Sequence, residues 1–179
     1  LIDLGHRKIA FVKGSSASLN TSRSFKQYKA TLEKNHLPFD ETLVFDAMGS
    51  SYKKGYAITE KLIDRIEEID AIQYSTDDIA IGGILCLKDH HIQIPQQVSV
   101  LGHNNIAESA FVSPGLTTYG ETADQYLYYE GIIHYLITMI EKEENYQEIA
   151  SQLADRLQHF DSRPELIIRE STAECTKYK

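Results

Sequence analysis

Four short segments concentrate side chains able to bind or to catalyse: Gly14-Ser15-Ser16, Asp46-Ala47-Met48-Gly49-Ser50-Ser51, Ser75-Thr76-Asp77-Asp78 and Gly102-His103-Asn104-Asn105. They offer hydroxyls, carboxylates and amides, with no cluster of Lys or Arg among them. Such a set satisfies the donors and acceptors of a polyol better than the charge of a phosphate. The same residue types also fill turns for their own backbone reasons. Turn chemistry accounts for any one segment alone; together they make a binding rim only if the fold gathers them at one edge.

Patterns that would announce catalysis or metal binding are missing. There is no Walker loop, no G-x-G-x-x-G and no G-x-S-x-G elbow, and Gly82-Gly83 falls inside a helical pattern. His90 and His91 are adjacent, so on a helix they point about 100° apart and do not chelate one ion from one face. Asp77-Asp78 reads as the cap of a helix N-terminus more readily than as an acid–base pair. Tyr126, Tyr128 and Tyr129 read as helix packing. Cys86 and Cys175 form no C-x-x-C pair and read as two reduced thiols. The expectation is a binding module and not an enzyme, with no cofactor and no metal.

The elements that must position these segments alternate along the chain. Strand candidates are Ile9–Val12, Leu43–Phe45, Ile69–Tyr74 and, after Pro95, Val98–Leu101. Between them lie helical patterns: Phe25, Tyr28 and Leu32 within 23–35; Ile58, Leu62 and Ile66 within 52–66; and Ile81, Ile84, Leu85 and Lys88 after a cap at Asp77 or Asp78. Four strands separated by three helices predict an α/β fold, a doubly wound parallel sheet with helices on both faces. Its strands all leave toward one edge, where open α/β sheets bind ligands. Beyond an extended piece at 114–119, Thr122-Ala123-Asp124-Gln125 fits a capping box. It opens a helix carrying Tyr126, Tyr129, Ile133, Leu136, Ile137 and Ile140. Residues 141–163, with Ile149, Leu153 and Leu157 spaced by four, read as an exposed helix or a long connection. Leu166-Ile167-Ile168 is the last strand candidate.

The chain's 179 residues suffice for one sizeable domain. Its 18 basic and 26 acidic residues give a formal net charge of −8, a poor match for a phosphate backbone. No apolar run is long enough to span a bilayer, and the first residues do not form a secretory signal. Two reduced thiols and no such segment give the expectation of a cytoplasmic protein, and the missing initiator Met that of a piece of a longer one.

The order of motifs is the most specific signal. Leu4-Gly5-His6-Arg7-Lys8-Ile9-Ala10-Phe11-Val12, Asp77-Asp78-Ile79-Ala80-Ile81-Gly82, Ile94-Pro95-Gln96-Gln97-Val98-Ser99-Val100-Leu101-Gly102, Pro114-Gly115-Leu116-Thr117-Thr118 and Leu166-Ile167-Ile168-Arg169-Glu170-Ser171-Thr172 follow one another. Together they resemble the lactose-repressor/galactose-repressor (LacI/GalR) family of transcription regulators. That resemblance implies a repressor with a helix-turn-helix headpiece and a two-lobed effector domain like a periplasmic binding protein. On this reading 1–119 and 164–175 are the C-terminal lobe, 120–163 belongs to the other lobe, and the DNA-binding headpiece is absent from this chain.

The resemblance also implies roles for residues. Effector contacts fall on Asp77, with Thr76 where the family usually has Asn; on Asn104, where it has Asp; and on His103, in its aromatic position. They fall further on Arg23, one place from the expected arginine, and on Ser50, at a position where an aromatic often stacks on the sugar. A homodimer interface is implied along the helix of Ile81, Ile84 and Leu85 and across Glu108 and Phe111. The implied partners are an uncharged sugar as effector and operator DNA, with no membrane. The implied mechanism is a population shift, in which effector binding between lobes favours one closure state. The alternative is a periplasmic or lipoprotein sugar-binding component of a transporter. The His6-Arg7 segment and the Arg169-Glu170-Ser171-Thr172 ending favour the repressor.

Overall fold

The computed structural model describes residues 1–15, 18–122, 131–133, 136, 137, 139–141 and 164–178. The capping-box residues Ala123, Asp124 and Gln125, the tyrosines at 126, 128 and 129, and the stretch 142–163 lie outside the described residues. The chain divides into two compact units, Leu1–Tyr119 with Leu166–Lys179, and Gly120–Glu165.

The first unit is built on strands β1 (Ile9–Lys13), β2 (Val44–Asp46), β3 (Ala71–Tyr74) and β4 (Ser99–Asn104). With β5 (Thr117–Gly120) and β6 (Glu165–Ile167) they form one six-stranded sheet in the order β2-β1-β3-β4-β5-β6. The β1–β2, β1–β3 and β3–β4 pairs are all parallel, with Phe11 opposite both Val44 and Gln73. The expected doubly wound parallel arrangement is therefore present. β4 runs further than its apolar pattern showed, because His103 and Asn104 continue the strand.

Alternation along β1 assigns the two faces. Ala10 and Val12 join Ile72, Tyr74, Val98 and Val100 in a core shared with Ile58, Leu62, Ile79, Ile84 and Leu87. These last residues come from helices α2 (Tyr52–Ile63) and α3 (Asp77–Asp89). Ile9 and Phe11 point the other way, onto Tyr28 and Leu32 of α1 (Leu19–Lys34). Each of the first two helices starts on a serine: Ser18 Oγ accepts from the Thr21 amide at 3.4 Å, and Ser51 Oγ from the Lys54 amide at 3.3 Å.

α2 and α3 cross with backbones nearly touching. A Cβ on Gly55 would overlap the Ile79 carbonyl, and one on Gly82 would overlap the Tyr52 carbonyl. Gly83 leaves room for the buried hydroxyl pair of Tyr74 and Thr59, 2.8 Å apart. The Gly82-Gly83 pair is thus a packing device.

The returning C-terminal segment is sewn in by polar groups. The Ser171 hydroxyl donates to the Val100 carbonyl at 2.6 Å and accepts from the Thr117 amide at 2.8 Å. Arg169 donates to the Leu116 carbonyl at 2.7 Å and to Asn105 Oδ1 at 2.9 Å. At the opposite end of the sheet, Asp70 Oδ2 accepts from the amides of Arg7 and Lys8 and from the Tyr178 hydroxyl, each at 2.9 Å. In the second unit Met139 is buried, whereas Ile133, Ile137 and Ile140 are exposed.

Candidate functional site

β2 and β3 flank β1 on opposite sides, so the winding direction reverses at the carboxyl ends of β1 and β3. Such a reversal opens a crevice between the loops leaving the two strands. Here those loops meet. The Gly14 amide, just past β1, donates to Ser75 Oγ at 2.7 Å, and the Ser75 amide donates to the Val12 carbonyl at 3.0 Å. The loop after β2 joins them, because a Cβ on Gly14 would lie only 2.9 Å from Ser50 Oγ and 3.1 Å from Ser75 Oγ. The missing side chain at position 14 therefore leaves space for hydroxyls from two neighbouring loops. Three of the four polar segments converge at this point.

Thr76 is the N-cap of α3, with φ −150° and ψ 156°, but its side chain makes no capping bond. Its hydroxyl is buried and has no hydrogen-bond partner. Leaving a buried hydroxyl unpaired costs about 1–3 kcal/mol, so a protein keeps one where something else satisfies it.

Asp77 behaves differently from expectation. Asp77 and Asp78 were candidates for the cap, yet both lie in the first turn of α3 and Thr76 holds the cap position. Asp77 is also completely buried. Its Oδ2 accepts from the Ile106 amide at 3.0 Å and the Ser109 hydroxyl at 2.7 Å, and its Oδ1 from the Thr118 hydroxyl at 2.7 Å. Gly102 packs against it so closely that a Cβ there would overlap Oδ1. Asp77 is an internal clamp tying α3 to the segment after β4 and to β5.

The exit of β4 is conformationally unusual. Asn104 has φ +109° and Asn105 φ +53°, in the half of backbone space that residues with a Cβ avoid. Strain of this kind gathers at functional sites. His103 Nδ1 donates to Asn104 Oδ1 at 2.7 Å, which leaves Nε2 as an acceptor, and its ring lies 5.7 Å from that of Tyr119, tilted by 37°. Tyr119 is exposed. The sequence reading missed it, because it follows a threonine motif and carries no spacing signal of its own.

Of the remaining expected contacts, Ser50 is exposed beside Gly14, and Arg23 is exposed in the second turn of α1. A second residue passed over in the sequence is Lys13. At the end of β1 its ammonium lies 3.5 Å from Asp46 Oδ2 and 5.5 Å from the centre of the Phe25 ring. Near α3, burial first, and then the charges of Asp77 and Glu108, push the Asp78 carboxyl above its ordinary value. Lys13 thus sets a cation among the hydroxyls, amides and carboxylates of the rim, and Arg169 sets another beside Asn105.

The residues implied in a dimer contact divide. Ile84 is wholly buried and Ile81 is 7% exposed, both packed in this unit's own core. Ile84 is a core residue of this unit. Leu85, Glu108 and Phe111 are exposed, Phe111 at 87%. A cavity of about 450 Å³ lies away from the rim, along α1 over Gln73 and Leu101.

A hydroxyl-lined rim at a strand-order reversal defines a ligand-binding α/β protein. The periplasmic binding protein-like domain model matches residues 1–172, and the chain belongs to that family. Its relatives are regulators of the LacI type. It is 33% identical over 119 residues to catabolite control protein A of Priestia megaterium, covering 66% of this chain and 36% of that protein. The crystal structure of the Escherichia coli transcriptional repressor AscG matches with a TM-score of 0.70 and 27% identity over 96% of this chain and 58% of that one. A sugar-binding transcriptional regulator of the LacI family from Escherichia coli, complexed with phosphate, matches with a TM-score of 0.71 and 27% identity, covering 97% and 57%. The chain spans about a third of the length of the curated relatives it matches first. No described helix is long and apolar enough to cross a membrane.

Proposed function

We propose that this chain is the effector-sensing and dimerisation region of a cytoplasmic transcriptional repressor, responsive to an uncharged sugar and without enzymatic activity. On this reading 1–119 with 164–175 form the C-terminal lobe, 120–163 belongs to the other lobe, and operator DNA is held by a headpiece outside these residues. The observation that carries the sugar reading is the orphaned Thr76 hydroxyl, buried at the strand-order reversal. A sugar hydroxyl is both donor and acceptor and satisfies it from either side. Thr76, Ser50, His103 and Asn104 are the proposed contacts, with Tyr119 as a stacking face and Arg23 at the margin. The Lys13 ammonium is already paired with Asp46 and the Arg169 guanidinium with Asn105 and the Leu116 carbonyl, which argues against a phosphosugar.

The relatives support the regulatory half of the proposal, since they are transcriptional regulators and one of those at 27% identity is sugar-binding. The transporter reading has the family description in its favour. Binding of operator DNA by the intact protein separates the two. Calorimetry of the intact protein against neutral mono- and disaccharides, a hexose phosphate and a purine base tests the ligand class. Heat from a neutral sugar, reduced in Thr76→Val, is expected; binding of the purine or the phosphate alone would reject the sugar reading.

A further inference from the structure

The sequence gives no metal signal, yet the fold brings three metal-ligating side chains together far along the chain from one another. His6, Asp70 and Cys175 are all buried, and one ligand atom from each lies within 4.8 Å of the other two. They sit at the end of the sheet opposite the rim, where β3 begins.

Two of these atoms lack partners. His6 Nδ1 and Asp70 Oδ1 are buried with no hydrogen bond, and they face each other at 3.4 Å. The rest of each side chain is fully engaged. His6 Nε2 donates to the Ala173 carbonyl at 3.0 Å, which fixes the ring with Nδ1 turned toward Asp70. Asp70 Oδ2 takes the Arg7 and Lys8 amides and the Tyr178 hydroxyl, which leaves Oδ1 with its lone pairs open. A buried imidazole nitrogen and carboxylate oxygen at this distance are joined by a ring proton or by a metal ion, and only a metal ion also recruits the neighbouring thiol. The outer bonds are those that orient metal ligands: an imidazole anchored through its far nitrogen to a backbone carbonyl, and a carboxylate held by its other oxygen.

The spacing fits a particular ion. Zinc bonds of about 2.0–2.2 Å to nitrogen and oxygen, spread tetrahedrally, place the two ligand atoms roughly 3.4 Å apart, and the His6–Asp70 separation is 3.4 Å. The thiol lies within 4.8 Å of both, and closing to tetrahedral zinc–sulfur geometry asks a shift of about 1 Å. Thiolate, imidazole and carboxylate together favour zinc over magnesium or calcium. Beside Cys175 lies a cavity of about 350 Å³, lined also by Arg7 and Tyr178.

We propose that His6, Asp70 and Cys175 form a zinc site that fastens the C-terminal tail to the N-terminal segment and to β3. The Cys175 thiol loses its proton to solvent as the zinc–sulfur bond forms. The test is titration of the metal-stripped chain with zinc against a chromogenic chelator, together with cobalt(II) absorption. Expected are one tight equivalent, proton release, a raised Tm and a thiolate-to-cobalt charge-transfer band. Cys175→Ser should abolish that band and weaken zinc binding by roughly 100-fold. Cys86→Ser should change neither, although Cys86 Sγ lies 3.8 Å from His90 Nδ1. His6→Gln, if folded by circular dichroism, should match Cys175→Ser. Zinc binding no tighter than that of Cys175→Ser, or a charge-transfer band lost with Cys86 instead, overturns the proposal.

Discussion

Thr76 and Asp77 are neighbours in sequence with opposite roles in the structure. Both are polar and both sit at the start of α3, so sequence alone treats them alike. Only packing separates the residue whose oxygens are filled from the one whose oxygen is empty. Thr76→Val keeps the shape and the extended backbone while removing the hydroxyl, and no cap is lost because none is made. The folded chain should be as stable as before or more so by about 1 kcal/mol, read as an unchanged or higher urea midpoint. Effector affinity should fall about tenfold by calorimetry, the equivalent of one hydrogen bond. A variant that loses stability but binds normally would make the hydroxyl structural. Asp77→Ala should do the reverse: with three donors left unpaired it should cost on the order of 3 kcal/mol. Denaturant unfolding measures that loss, and an unshifted midpoint would refute the clamp. Cys86 shows the same dependence on surroundings. Burial, then the charges of Glu60 and Asp89, push its thiol up to about 11, so iodoacetamide at neutral pH should leave it unlabelled until the chain unfolds.

At the scale of elements the sequence was most legible where period and chain order coincide. Alternating strands and helices gave the parallel sheet, and the polar exits of β1, β2 and β3 do meet at one edge. Their meeting place follows from topology: the order reverses at β1, a fact carried by long-range pairing and by no local residue pattern. The same limit hid the His6, Asp70 and Cys175 cluster, whose members lie 64 and 105 positions apart along the chain. The glycine pair in α3 was visible, but its purpose was not, since only the crossing with α2 shows what a side chain would strike. Gly55→Ala and Gly82→Ala each place a methyl group in the path of the other helix's backbone. Neither helix can yield without disturbing the core below, so each should cost roughly 3 kcal/mol or more. Thermal unfolding checks this. Gly131→Ala, in open space, is the control and should leave Tm unchanged or slightly raised. Equal behaviour of all three would mean that the helices do not approach as described.

For the molecule as a whole, a net charge of −8 is a poor match for a phosphate backbone. Association is where the exposed apolar residues bear on function. Leu85 on α3 and Phe111 beyond β4 are 46% and 87% exposed, although water disfavours both. If they form the proposed homodimer contact, twofold symmetry places each residue in the interface twice. A buried aromatic anchor contributes on the order of 2 kcal/mol, so Phe111→Asp should remove about 4 kcal/mol from a symmetric dimer. That corresponds to roughly a thousandfold weaker association. Sedimentation of the intact protein should then show monomers at concentrations where the parent is dimeric. Folding provides the internal check: Phe111 makes so little contact within its own chain that the monomer should unfold at the parent's denaturant midpoint once dimerisation is accounted for. Dimers that persist undiminished would place the contact on another face, and the apolar side chains at 85 and 111 would then be surface features without a part in assembly.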